Sequence, residues 1–170
     1  MKKRFLIIIF TGLLLGACGY IGPQSMPMNY EYDNLQGGKF TSNGQQIYFS
    51  AADQSGEYIS YTGGPNFGGT MMGSYLTCAS CHGADGRGGT HYMHMQVMDA
   101  PPIYYDALVN MMQEESSGAS QSDGYTLDNF RQSVFQGKHP DGDELNRNMP
   151  RWQMSENDLA DLLAFLKTLP

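Results

Sequence analysis

Cys78-Ala79-Ser80-Cys81-His82, followed by Gly83-Ala84-Asp85-Gly86-Arg87-Gly88-Gly89, is the stretch on which the reading of this chain turns. On a helical turn, residues three and four apart share a face. Cys78, Cys81 and His82 therefore project together if the segment is helical. Two thiols and an imidazole at that spacing form the Cys-x-x-Cys-His pattern of covalent c-type haem attachment. Cys78 and Cys81 can reach the two vinyl groups at one porphyrin edge, and His82 can reach the iron beneath the same edge. Other uses of the pair fit less well. A plain disulfide with a neighbouring surface histidine leaves the glycine-rich exit unexplained. Zinc needs a second ligand pair at finger-like spacing, and none follows. A thioredoxin-like dithiol needs a βαβ setting, and the flanking sequence has no such pattern.

The N-terminus supports an exported context. Met1-Lys2-Lys3-Arg4 is basic, residues 5–15 are apolar apart from Thr11 and Gly12, and Leu15-Gly16-Ala17-Cys18 follows. This is the form of a secretory signal, too short for a comfortable membrane span. Leu-Gly-Ala-Cys resembles the lipobox of bacterial lipoproteins, which implies signal removal after Ala17 and lipidation of Cys18. Loss of Lys2, Lys3 and Arg4 then takes the net charge from −7 to −10. Such an acidic domain is a poor match for nucleic acid and a good one for redox partners with a basic docking surface. Three cysteines are present; with Cys18 lipidated, only the Cys78/Cys81 pair remains. Gly19 supplies no aspartate retention signal. By analogy with enteric lipoprotein sorting, this favours the outer membrane of a bacterial envelope, with a periplasm-facing anchor the other placement.

The organisation reads as signal peptide 1–17, flexible tether 18–40 and one domain 41–170. Residues 19–38 are rich in Gly, Pro, Gln and Asn without helical period. Residues 44–50 form a short helix or a strand. Residues 51–73, with six glycines, read as a short hairpin or irregular loop. One or two helical turns are expected over 74–82, a tight exit over 83–89, and a Met/His loop over 91–98. Pro101-Pro102 forces extended backbone before a helix at 103–112. A polar loop covers 114–124. Thr126 caps a helix over 127–136 that Gly137 ends, and 138–150 is a loop. Ser155 and Asp158 resemble a capping box. Leu159, Leu162, Leu163 and Leu166 then mark a closing amphipathic helix.

The haem motif, the run Asn146-Arg147-Asn148-Met149-Pro150-Arg151-Trp152 and the leucine-rich final helix together resemble a class I cytochrome c over residues 44–169. The resemblance implies an all-α fold of three to five helices around one haem. Here that fold would carry an irregular or short β-hairpin insertion before the motif. It implies one covalent haem c, His82 and Met149 as axial ligands, and electron transfer rather than enzymatic turnover. Met149 lies 67 residues after His82, where the family places its methionine, and Pro150 stiffens the approach. A thioether ligand implies a raised reduction potential and a red-edge absorption band in the ferric state. The family orients its histidine with a proline carbonyl, for which Pro101 or Pro102 is the candidate. Trp152 is placed to meet the haem edge or a propionate, or simply to pack. Arg151, Arg147 and Lys138 are possible propionate partners. Tyr48 or Phe49 against Phe165 would match the family's contact between first and last helices.

The cluster His91, Met93, His94, Met95 and Met98 has the soft donors that suit copper(I); the plainer reading is a loop of adaptable methionines covering haem. With both axial positions filled, no open iron site remains for a small-molecule substrate, which favours a carrier over an enzyme. The alternatives are a haem-bearing subunit of a membrane oxidase or dehydrogenase complex, and a gas sensor whose Met149 dissociates to admit NO or CO.

Overall fold

The computed structural model describes residues 40–65, 76–93, 96–115 and 125–170. The signal, the lipidation site Cys18 and nearly all of the tether lie outside the described residues. So do residues 116–124 of the polar loop and residues 66–75 before the haem motif.

The described chain holds five α-helices: α1 Asn43–Ser50, α2 Cys78–His82, α3 Tyr105–Glu115, α4 Leu127–Arg131 and α5 Glu156–Leu166. α1 resolves the choice left open for 44–50 in favour of helix. Ser42 caps it by accepting from Gln45 N at 3.1 Å, and Ala51 closes it in the left-handed conformation at φ 52°. α5 begins where the sequence marks it. Ser155 Oγ accepts from Asp158 N at 3.1 Å and donates to that side chain's carboxylate at 2.6 Å.

α1 crosses α5, and this corner is the centre of the core. Ile47, Tyr48, Leu159, Leu162 and Leu166 are at most 2% exposed. Each such side chain contributes about 1.5–3 kcal/mol relative to an exposed position. Tyr48 and Phe49 both meet Phe165, with ring centroids 5.3 and 5.9 Å apart. Gly44 sits at the crossing; a Cβ there would fall 1.9 Å from the Asp161 carbonyl oxygen. Asn43 ties the rim by donating to Asp158 and Asp161, each at 2.8 Å.

The strands depart from the all-α expectation. β1 Ser60–Thr62 pairs antiparallel with β4 Arg151–Gln153 in the register Tyr61↔Trp152. It thus joins the chain before the haem motif to the segment just after Met149. The only local pairing in that region is the bridge Ala52↔Tyr58 among the described residues. Among the described residues the two-stranded hairpin lies after the motif: β2 Gly89–Met93 pairs with β3 Gln96–Ala100 in the register His91↔Met98. The expected Met/His loop is therefore a β-ribbon. Alternating outward Tyr92 and Val97 with inward Met98 satisfies strand period.

The helix expected over 127–136 changes character midway. α4 is followed by a π-helical turn at Gln132–Gln136. The next segment folds back on this turn: Lys138 N donates to Gln132 O at 3.2 Å, and Gln132 Nε2 donates to His139 O at 2.9 Å. Such widened turns often occur at functional sites, and Val134 from this one lines a cavity shared with Cys78, Cys81 and His82.

Candidate haem site

The attachment motif is a five-residue helix, too short to persist on its own. A reciprocal capping box holds it. Thr77 Oγ1 accepts from Ser80 N, and Ser80 Oγ accepts from Thr77 N, both at 3.2 Å. Thr77 is 3% exposed, so leaving these groups unpaired would be costly. Gly83 N closes the helix on Ala79 O at 2.9 Å, and Tyr48 Oη donates to Gly83 O at 2.6 Å, fixing α2 to α1. Burial, with the neighbouring Cys78 and Asp85 adding to it, raises the Tyr48 pKa, so the phenol stays a neutral donor.

Cys78, Cys81 and His82 line one cavity of about 290 Å³ with mostly apolar walls. Cys78 and Cys81 stand as separate thiols. Burial pushes the Cys78 thiol up to about 12, with Cys81 adding to the rise, and burial raises Cys81 as well. Reactive redox dithiols have lowered thiol pKa values, so this environment does not suit a dithiol exchange centre.

His82 is 6% exposed, and its Nδ1 lies 2.9 Å from Pro101 O. A carbonyl only accepts, so Nδ1 carries the proton and Nε2 keeps a free lone pair. Burial lowers the His82 pKa, the Pro101 bond opposes that shift, and the nearby His91 reinforces it. The imidazole is thereby held neutral and aimed as a ligand. Of the two prolines, Pro101 faces the histidine; no hydrogen bond to Pro102 occurs among the described residues.

The approach of Pro101 depends on a glycine that the sequence reading did not single out. Gly88 has φ +68°, and a Cβ there would fall 2.1 Å from Ala100 O and 2.7 Å from Pro101 O. Its N–H donates to His82 O at 2.9 Å. The turn after the motif thus folds back to bring the carbonyl of β3's exit under the imidazole.

Met149 is half-buried and lines the same cavity, as does the buried Trp152. The Met149 loop is turned by Asn146: its Oδ1 accepts from Asn148 N at 2.9 Å, and its carbonyl accepts from Met149 N at 3.0 Å. Trp152 packs on Tyr61 with centroids 4.9 Å apart. Met98 and His139 also line the cavity, and of the two His139 was not expected there. Met98 belongs to the segment whose plainer reading is a methionine cover over haem, and His139 stands in a loop with no distinguishing pattern. His91 Nε2 is buried and has no hydrogen-bond partner among the described residues. No group of three or more His, Cys, Asp or Glu side chains arranged for a metal occurs among the described residues. The side chains of Met93, His94 and Met95 lie outside them.

Two thiols on the wall of an apolar cavity, with a neutral imidazole lining it too, define a c-type haem-binding domain, and the donor set fits the group it is to hold. The chain belongs to the cytochrome c family, whose model matches residues 42–170. No curated protein and no solved structure matched the chain. The cofactor is covalently bound haem c, and Cys78, Cys81 and His82 fit its attachment motif. When bound, haem supplies a one-electron iron couple, and the family's general activity is electron transfer. Domains of this family are typically exported to the periplasm in bacteria. No helix among the described residues is long and apolar enough to cross a membrane.

Proposed function

We propose that this chain is an exported, lipid-anchored electron carrier in which His82 and Met149 are the two axial ligands of a single haem c. The observation that carries the reading is that Met149 lines the cavity that also holds both motif thiols and His82. Filling both axial positions leaves no coordination site for substrate, so the protein shuttles electrons and turns nothing over. His82 contributes a neutral imidazole anchored through Nδ1. Met149 contributes a soft thioether that stabilises the reduced iron. The apolar walls exclude water, which limits reorganisation when the charge changes. Cys18 provides the lipid attachment, residues 18–40 the tether, and residues 41–170 the electron-transfer domain. The acidic surface suits redox partners with basic docking faces, whose association should weaken with salt.

The test is Met149→Ala in the haem-loaded protein. The expected result is loss of the red-edge ferric band, a lower reduction potential and rapid carbon monoxide binding after reduction, with the haem still attached. An unchanged band contradicts the ligand assignment. Rapid carbon monoxide binding by the unaltered protein contradicts the carrier reading. For the anchor, labelled fatty acid should enter the wild type and not Cys18→Ser.

A further inference from the structure

The guanidinium of Arg151 donates to two backbone carbonyls of the Met149 loop. Nη1 donates to the carbonyl of Met149, and Nη2 donates to the carbonyl of Leu145 at 3.3 Å. Among the described residues no carboxylate forms an ion pair with it. The group rests directly on Gly137, where a Cβ would fall 1.5 Å from Arg151 Nε and 1.8 Å from Cζ. Gly137 also has φ +67°, so any other residue there is strained as well as obstructive. The two ends of the loop are drawn together beneath it, with Leu145 N donating to Gly137 O at 2.8 Å. The Arg151 backbone is itself fixed in β4, opposite Thr62 of β1.

We propose that Arg151, seated on Gly137, is a positioning residue that latches the Met149 loop and fixes the thioether toward the iron. A planar guanidinium spans two carbonyls in a set geometry, and an ammonium does not. The latch ties Met149 both to the 137–145 turn and to the β1–β4 pair. The inference rests on Met149 being the axial ligand, and the experiment separates the two claims.

Imidazole is titrated into the ferric, haem-loaded protein, where it competes with the thioether for the iron. Arg151→Lys, which keeps the charge and loses the fork, is expected to raise imidazole affinity about tenfold, the scale of one lost charged hydrogen bond. Gly137→Ala, which leaves Arg151 in the sequence and evicts it from its seat, is expected to do the same. The double variant should add little to either single one, because both act through one contact. In a Met149→Ala background, Arg151→Lys should change nothing. Unaltered imidazole affinity in Arg151→Lys overturns the latch while leaving the ligand assignment standing. So does an equal rise in the Met149→Ala background. Wild-type imidazole affinity in Met149→Ala alone removes the ligand assignment, and the latch falls with it. Should Gly137→Ala fail to fold, Arg151→Gln takes its place with the same expected rise.

Discussion

The two walls of the haem cavity are built in opposite ways. The His82 wall is local. Thr77 to Pro101 supplies the thiols, the imidazole, the capping box and the carbonyl that orients the ring, all within one short stretch. The Met149 wall is assembled from distance. Its loop hangs between a π-helical turn and a three-residue strand, and that strand is secured by β1 from before the haem motif. The first wall needs few long-range contacts to exist, and the second exists only when the whole domain is closed. Contacts of this second kind are the ones expected to open first.

The largest expected effect falls on what the walls share. Leu159→Ala removes a side chain that is fully buried at the α1–α5 crossing, and should cost about 2–5 kcal/mol in denaturant unfolding of the haem-loaded protein. A loss near zero would mean that the crossing is not the common support. Next comes the asymmetry itself. With rising guanidinium, the red-edge ferric band should disappear before the far-ultraviolet helix signal, as the Met149 wall releases ahead of global unfolding. Coincident transitions would place both walls in one cooperative unit. On the local wall, Gly88→Ala should push Pro101 away from His82 Nδ1. That bond gives the imidazole extra basicity and favours ferric iron, so its loss should raise the reduction potential modestly while the red-edge band persists. A potential that falls, or a band that vanishes, would show that the two walls are not independent.

The smallest effect lies on the surface. Arg131 bridges Asp128 and Glu156 across α4 and α5, and its hydrogen bonds hold the Glu156 carboxyl below its ordinary 4.5. A carboxyl with a depressed folded-state pKa stabilises above its unfolded value and loses that contribution as pH falls through the folded one. Melting temperatures of wild type and Glu156→Gln should therefore differ slightly at pH 7 and converge below about pH 4.5. A gap that widens on acidification would reverse the assignment.

The same local-versus-distant contrast explains what was legible in the sequence. The motif helix, the closing helix with its Ser155 cap, the stop at Gly137 and the Phe165 contacts all follow from spacing, capping chemistry and periodicity, or from the family resemblance built on them. The β1–β4 pairing did not follow, because three-residue strands carry almost no periodic signal and their partner is far along the chain. The β2–β3 ribbon reads as a loop in the sequence because histidines and methionines mask the alternation that Tyr92, Val97 and Met98 trace. The π-helical turn was invisible because it arises from the segment folding back onto Gln132, not from the helix's own residues. From the sequence Gly88 and Gly137 read only as turn glycines. Their second role, leaving room for the Pro101 carbonyl and the Arg151 guanidinium, depends on neighbours that only the fold brings near.

The most direct measurement is the intact mass of the mature chain after extraction with acidified acetone and full denaturation. The account predicts one haem retained per chain, lost on Cys78→Ala/Cys81→Ala. A chain stripped to its bare polypeptide mass would contradict it.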